Sequence, residues 1–333
     1  MGLMLNPRNP NGPTWQEIDK YYTRLTGRAS FFFFTIKQHP NESNFTVLSI
    51  GRPQLTLPVR LLMTMTDENS QMGMLQHITT VVSSIKFNTF NTSQYIDLNA
   101  IMTDAKALIR LELALTKAGT MAPSNRSSLV KFEKKLLPIH DFQTLYDDNV
   151  MQTQQSKIDW LDVINNLCSG TNIGPVRDDV IVVNPVSYFV ALGQILNTVP
   201  KETLVNYVHW RFIYKMYRFC SDRTRELDHT IKKQLLQRTD LKSRREDCMR
   251  RNPFKEAVIY QYLSRFVSDD SIKKVKKLLT ETKESMERQI SRVPWLNNTE
   301  KDAAINKLKH MKTFIAYDSG ENNPEFINKL YEG

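Results

Sequence analysis

Breakers of regular structure are scarce in this sequence of 333 residues. It has 11 glycines and 14 prolines, about 7.5 % together against about 12 % in an average protein. So few argue for long helices and against a turn-rich all-β architecture. Cysteine is scarcer still. Cys168, Cys220 and Cys248 are an odd number, far apart and outside metal-ligand spacing, which excludes a disulfide framework. On the residues alone they read as three reduced thiols, two of them buried. Long apolar runs are missing too: the longest bursts, Phe31 to Phe34 and Val180 to Val183, fall far short of the roughly 18 residues a membrane-spanning helix requires. The first residues show neither a basic stretch followed by an apolar one nor a cleavage site. Asn6 stands where a myristoylation signal wants Ser or Thr. Nothing in the chain as written is expected to send it through a membrane.

Chemical motifs are equally sparse. The six histidines, His39, His77, His140, His209, His229 and His310, include no two within one helical turn, so His-Glu-x-x-His is absent. No phosphate-binding glycine loop, dinucleotide fingerprint or Gly-x-Ser-x-Gly turn occurs. His209, beside Trp210 in a helix, reads as a packed core histidine. Cys168 and Cys220 have no sequence-local base. The residues therefore assign no catalytic group, metal ligand or cofactor to this chain.

What is present is a globular composition, 41 % hydrophobic and 24 % charged, with 45 basic against 35 acidic residues and a net charge of +10. That balance permits acidic partners and says nothing of fold. Arg244-Arg245, Arg250-Arg251 and Lys273-Lys274 with Lys276-Lys277 are interleaved with Glu246, Asp247, Asp269, Asp270, Glu281, Glu284 and Glu287. Lysines with glutamate one turn on form a solvated helix face, so nucleic acid is not an expected partner. Five Asn-x-Ser/Thr sequons, at Asn41, Asn44, Asn91, Asn125 and Asn297, are candidate glycosylation sites. Their number is roughly what chance gives in a chain this rich in asparagine.

Residues 1–14 read as a flexible lead-in. Trp15, Ile18, Tyr21, Tyr22 and Leu25 form a helical stripe. Phe31–Ile36 and Phe45–Ile50 read as a β-hairpin, followed by an extended strap from Gly51 to Pro58 that Pro53 and Pro58 keep from becoming helix. From about Leu98 the pattern is helical. One stripe is Ile101, Ala105, Leu108, Ile109, Leu111 and Leu115; others are Leu129, Phe132 and Leu136, then Trp160, Leu161, Ile164 and Leu167. A long helix starts near Pro200, taken as a first-turn position. Asn252-Pro253, Asp269 or Asp270, and the box Thr299-x-x-Asp302 are expected to start three more. The fold class is mainly α with a small N-terminal hairpin.

The order of several elements is familiar. Lys157-Ile158-Asp159-Trp160-Leu161-Asp162-Val163-Ile164-Asn165-Asn166-Leu167 precedes Val183-Asn184-Pro185-Val186-Ser187-Tyr188-Phe189. Then come Thr203 to Ile213, with Asn206, Trp210 and Arg211, and later Pro294-Trp295-Leu296-Asn297 with Thr299, Ala303, Lys307 and Leu308. With Leu55-Thr56-Leu57-Pro58 upstream and Ile315-Ala316-Tyr317-Asp318 at the end, this order resembles the N-terminal, mostly helical lobe of the neprilysin family of zinc metalloendopeptidases. The resemblance covers residues 15–320 as one peptidase N-terminal domain, with 321–333 as a tail leading towards an absent zinc lobe. It marks Trp160, Asn206, Trp210, Arg211, Trp295, Lys307 and Tyr317 as structural signature residues.

The resemblance implies a two-lobed peptidase enclosing short peptides, whose zinc sits in the other lobe. None of the family's catalytic or zinc-binding residues has a matching position here, so the chain is expected to be inactive alone. Its implied partners are the catalytic zinc lobe and peptide substrates, and its implied location is an extracellular or plasma-membrane ectodomain. Cys248 resembles a family cysteine whose usual partner is missing, which leaves a free thiol or a pair with Cys168 or Cys220 open. The alternative is a non-enzymatic helical module that binds a peptide or protein.

Overall fold

The computed structural model describes residues 12–39, 42, 44–89, 97–120, 135–170, 174–236, 243–250, 252–316 and 323–332. They form two compact units that divide after Thr239.

In the first unit, helix α1 (Trp15–Thr26) opens on a capping box in which Thr14 and Glu17 satisfy each other's backbone amides, and Gly27 closes it at φ 65°. Strands β1 (Phe33–Gln38) and β2 (Thr46–Gly51) pair antiparallel, the hairpin expected from the two β-prone runs. The hairpin is half of a larger sheet. Its order is β1-β2-β4-β3, with β3 at Lys135–Pro138 and β4 at Val180–Asn184. Strand β4 runs parallel to β2 and antiparallel to β3. The apolar burst at Val180 is thus a central strand, and its run of buried Ile181, Val182 and Val183 reflects cover on both faces. Leu136 pairs with Val182 in β3 instead of lying in a helix; Leu129 and Phe132 lie outside the described residues. Gly51 ends β2 where a Cβ would stand 2.8 Å from the Asn184 carbonyl oxygen, so the β2–β4 approach requires glycine there.

The helices of this unit are α2 (Val59–Leu62), α3 (Glu68–Thr89), α4 (Leu98–Thr120), α5 (Ile139–Asn149), α6 (Trp160–Leu167), α7 (Val186–Thr198), α8 (Lys201–Met216) and α9 (Asp222–Leu236), and α5 packs on β3 and β4. Pro200 is the residue before α8, one position earlier than expected. All six apolar residues read into α4 are no more than 2 % exposed. The continuous core holds Trp15, Phe31, Ile50, Phe142, Trp160, Tyr188, Phe189, Tyr207 and Trp210.

The second unit contains α10 (Arg244–Arg250), α11 (Lys255–Phe266), α12 (Asp269–Arg292), α13 (Asn298–Lys309) and α14 (Pro324–Leu330). Helix starts shift from their sequence-based positions. Ser268 caps α12 by accepting from the Ser271 amide, leaving Asp269 and Asp270 in the first turn. Asn297 and Glu300 make the box of α13 that Thr299 and Asp302 were expected to make. Asn252 instead accepts from the Phe254 amide, and α11 begins at Lys255. Asparagine and serine win these caps because a short acceptor reaches the N3 amide. This unit buries few apolar side chains: Leu263, Leu308 and Ile327.

Candidate functional site

The signature residues of α8 act on the strap. Thr56 is 4 % exposed, and its amide donates to Glu112 Oε1 of α4 at 2.5 Å. Its hydroxyl oxygen accepts from Trp210 Nε1 at 3.1 Å and from Arg211 Nη1 at 3.3 Å. Arg211 Nη1 stands 3.5 Å from Glu112 Oε1, and Nη2 donates to the Gln54 carbonyl. One carboxylate, one guanidinium and one indole thus hold an irregular segment against two helices. Burial pushes the Glu112 carboxyl up, while Arg211 and the Thr56 amide pull it down. Glu112 Oε2 and Arg211 Nε are buried without a hydrogen-bond partner among the described residues. Thr56 stands in the Leu55–Pro58 strap that the sequence marks, whereas Glu112 is not among the residues it marks; the available signal is a glutamate inside the apolar stripe of α4.

Asp19 plays a similar part on α1. It is buried, and Oδ1 accepts from the Ser30 amide at 2.9 Å. Burial raises its carboxyl to about 6, opposed by the Ser30 bonds and by Arg211. Trp160 is a pillar: its ring meets those of Phe32, Phe142, Tyr146 and Phe189 at centroid distances of 5.3, 4.8, 5.4 and 5.3 Å. A third polar knot joins α3, the turn after α8 and α9. There the Tyr217 hydroxyl donates to Asp228 Oδ1, and Arg218 lies 3.6 Å from the same oxygen.

Two grooves flank the segment 154–159. One, of about 740 Å³, is lined by residues including His140, Gln143, Asp147, Lys157 and Arg177. The other, of about 420 Å³, is lined by residues including Trp15, Asp19, Lys20, Phe32, Asp162 and Asn166. Some of their polar groups are engaged: Lys20 Nζ sits 2.8 Å from Asp162 Oδ1, and Gln143 Nε2 donates to Asp147 and to the Ile158 carbonyl.

The remaining sequence candidates are dispersed. Trp160, Asn206 and Trp210 are buried, whereas Trp295 is 78 % exposed and Lys307 is exposed. Tyr317 lies outside the described residues. Asn44 and Asn297 are exposed; Asn41, Asn91 and Asn125 lie outside the described residues. The expectation of two buried cysteines is corrected: Cys168 is half-buried at the end of α6, and Cys220 and Cys248 are exposed. No disulfide joins them. His209 is half-buried, with Nδ1 2.9 Å from the Tyr22 hydroxyl, and burial lowers its pKa. His140 lies between Asp141 and Asp178. Among the described residues no group of three or more His, Cys, Asp or Glu could hold a metal ion, so this donor set does not fit a zinc centre.

The model for Peptidase family M13 matches residues 5–318, most of the first unit and the larger part of the second. The chain belongs to peptidase family M13. It corresponds to the N-terminal region of the neprilysin-like members. It is 23 % identical over 246 residues to membrane metallo-endopeptidase-like 1 of Mus musculus, covering 69 % of this chain and 32 % of that protein. With endothelin-converting enzyme 1 of Cavia porcellus the identity is 20 % over 338 residues, covering 97 % and 41 %. Among solved structures, zinc metalloprotease Zmp1 of Mycobacterium tuberculosis in complex with an inhibitor superposes with a TM-score of 0.68 at 16 % identity, covering 90 % of this chain and 43 % of that one. PepO of Lactobacillus rhamnosus gives 0.64 at 13 %, covering 90 % and 44 %. These structures share the M13 helical fold, and this chain spans between about a third and two-fifths of its curated relatives.

Proposed function

We propose that this chain is the non-catalytic lobe of a zinc metalloendopeptidase that cleaves short peptides, and that it works by covering a separate zinc-bearing lobe. The observation that carries the reading is the M13 match over residues 5–318, joined to a donor set among the described residues that does not fit zinc. A bound metal is what lowers the pKa of an attacking water, and with no donor set for one among the described residues we assign zinc and hydrolysis to the partner lobe. The chain's own residues shape the lobe: Arg211, Glu112 and Trp210 fix the strap, and Trp160 packs among Phe32, Phe142, Tyr146 and Phe189.

The second unit supports a partner. Helix α12 contributes no buried residue, and Phe266, Leu278 and Phe314 are 71 %, 64 % and 73 % exposed. We read these exposed apolar side chains as part of an interaction face. By kinship with membrane metallo-endopeptidase-like 1, we place the protein outside the cell or on its plasma-membrane ectodomain side. Among the described residues no helix is long and apolar enough to cross a membrane.

The test is zinc stoichiometry on the purified chain together with cleavage of a fluorogenic peptide by the same sample. The expected result is near-zero zinc and no chelator-sensitive cleavage. Stoichiometric zinc with chelator-sensitive cleavage overturns the reading.

A further inference from the structure

We propose that Asn297 carries an N-linked glycan and that the exposed indole of Trp295 is the platform on which its first sugar lies. This rests on the extracellular reading above. The sequon Asn297-Asn298-Thr299 opens α13, directly after a turn that contains Pro294 and Trp295. Asn297 is exposed and extended, at φ −76° and ψ 169°. Its Oδ1 accepts from the Glu300 amide at 2.9 Å, and its own amide donates to Glu300 Oε2 at 2.9 Å. The cap uses the carbonyl oxygen of the side chain and leaves Nδ2 unengaged among the described residues. A sugar on Nδ2 therefore preserves the capping box.

Trp295 supplies the second observation. It is 78 % exposed, the most exposed large apolar side chain in the chain's described residues. It sits two residues before the acceptor asparagine. At the four other sequons that position holds His39, Glu42, Thr89 or Pro123, so a large aromatic ring at this spacing is particular to Asn297. A pyranose presents one face of C–H bonds, and the electron-rich face of an indole attracts such polarised hydrogens while removing apolar surface from water.

The modification needs a lipid-pyrophosphate-linked oligosaccharide and its transferase. Asn297 Nδ2 attacks C1 of the reducing-end sugar. The Nδ2–C1 bond forms, the C1–O bond to pyrophosphate breaks, the lipid pyrophosphate leaves, and Nδ2 gives up one proton.

The experiment expresses the full chain behind a cleavable secretion signal in eukaryotic cells and measures occupancy at Asn297 and Asn44 by peptide mass spectrometry. Asn44, exposed in the β1–β2 turn, is the control within the same molecule. Asn297 is expected to be occupied, with Trp295→Ala lowering its occupancy about threefold or more, Trp295→Phe retaining it, and Asn44 unchanged. Asn297 bare while Asn44 is occupied overturns the site and leaves the secretory reading standing. A secreted chain bare at both overturns the site as well. Equal occupancy of Asn297 in Trp295→Ala overturns the role given to the indole. The secretory reading is decided separately, by whether the natural full-length protein carries glycosidase-sensitive mass.

Discussion

Arg211 and Glu112 face each other across the strap, Nη1 to Oε1 at 3.5 Å, with Thr56 bonded to both. The Glu112 side chain is 1 % exposed and that of Arg211 13 %. A carboxylate so deep in the protein is tolerated because a guanidinium and an amide share it.

Removing the guanidinium leaves that carboxylate unpaired. Arg211→Ala is expected to cost about 3–5 kcal/mol in denaturant unfolding. Adding Glu112→Gln to Arg211→Ala should recover part of the loss, since the neutral amide keeps an acceptor for the Thr56 amide. A loss below about 1 kcal/mol for Arg211→Ala would show that the pair does not anchor the strap.

Asp19 makes stability depend on pH in a defined direction. Its carboxyl titrates at about 6 in the folded chain against an ordinary 3.8, so the folded state holds the proton more tightly than the unfolded one. That contribution is complete below about pH 4 and is lost as pH rises through 6; it is worth up to about 3 kcal/mol. Asp19→Asn keeps an acceptor for the Ser30 amide and cannot ionise. Its stability should fall less than the parent's between pH 4 and 6 and match or exceed it at pH 7. An unchanged slope in urea melts across that range would refute the assignment.

Two tryptophans singled out by the same resemblance should behave in opposite ways. Trp160 is fully buried among four rings, and Trp160→Ala is expected to cost about 3–5 kcal/mol. In the unglycosylated chain Trp295→Ala should change stability by no more than about 0.5 kcal/mol. Thermal unfolding of the two variants side by side checks the contrast.

Gly193 on α7 leaves no room for a side chain, because an added Cβ would stand 2.4 Å from Val150 Cγ1. Helix propensity alone favours alanine there by about 1 kcal/mol. Overpacking should nevertheless win, so Gly193→Ala is expected to destabilise by about 1–3 kcal/mol. Gly193→Ala with Val150→Ala should be closer to the parent than the sum of the two single changes, measured as a double-mutant cycle.

The helices were legible where apolar spacing was regular. The α4 stripe, the start of α1 and the β1–β2 hairpin follow from residues a few positions apart, whose interactions are local. Cap positions shifted by one or two residues because several short polar side chains compete for the same amide, as Ser268 does with Asp269 and Asn297 with Thr299. The sheet was half visible. Leu136 pairs with Val182, 46 positions on, and no local pattern encodes that choice.

By itself the sequence determined a mainly helical N-terminal lobe of the M13 kind, because order and spacing of Trp160, Trp210 and Trp295 survive as text. Only the tertiary structure decided what those residues do. It buried Trp160 and Trp210, left Trp295 in solvent, and brought Glu112 and Asp19 inside. Burial and charge pairing depend on which distant elements meet. Arg211 finds the strap 155 positions earlier because packing of α8 on the core places it there, and not through any neighbour in the chain.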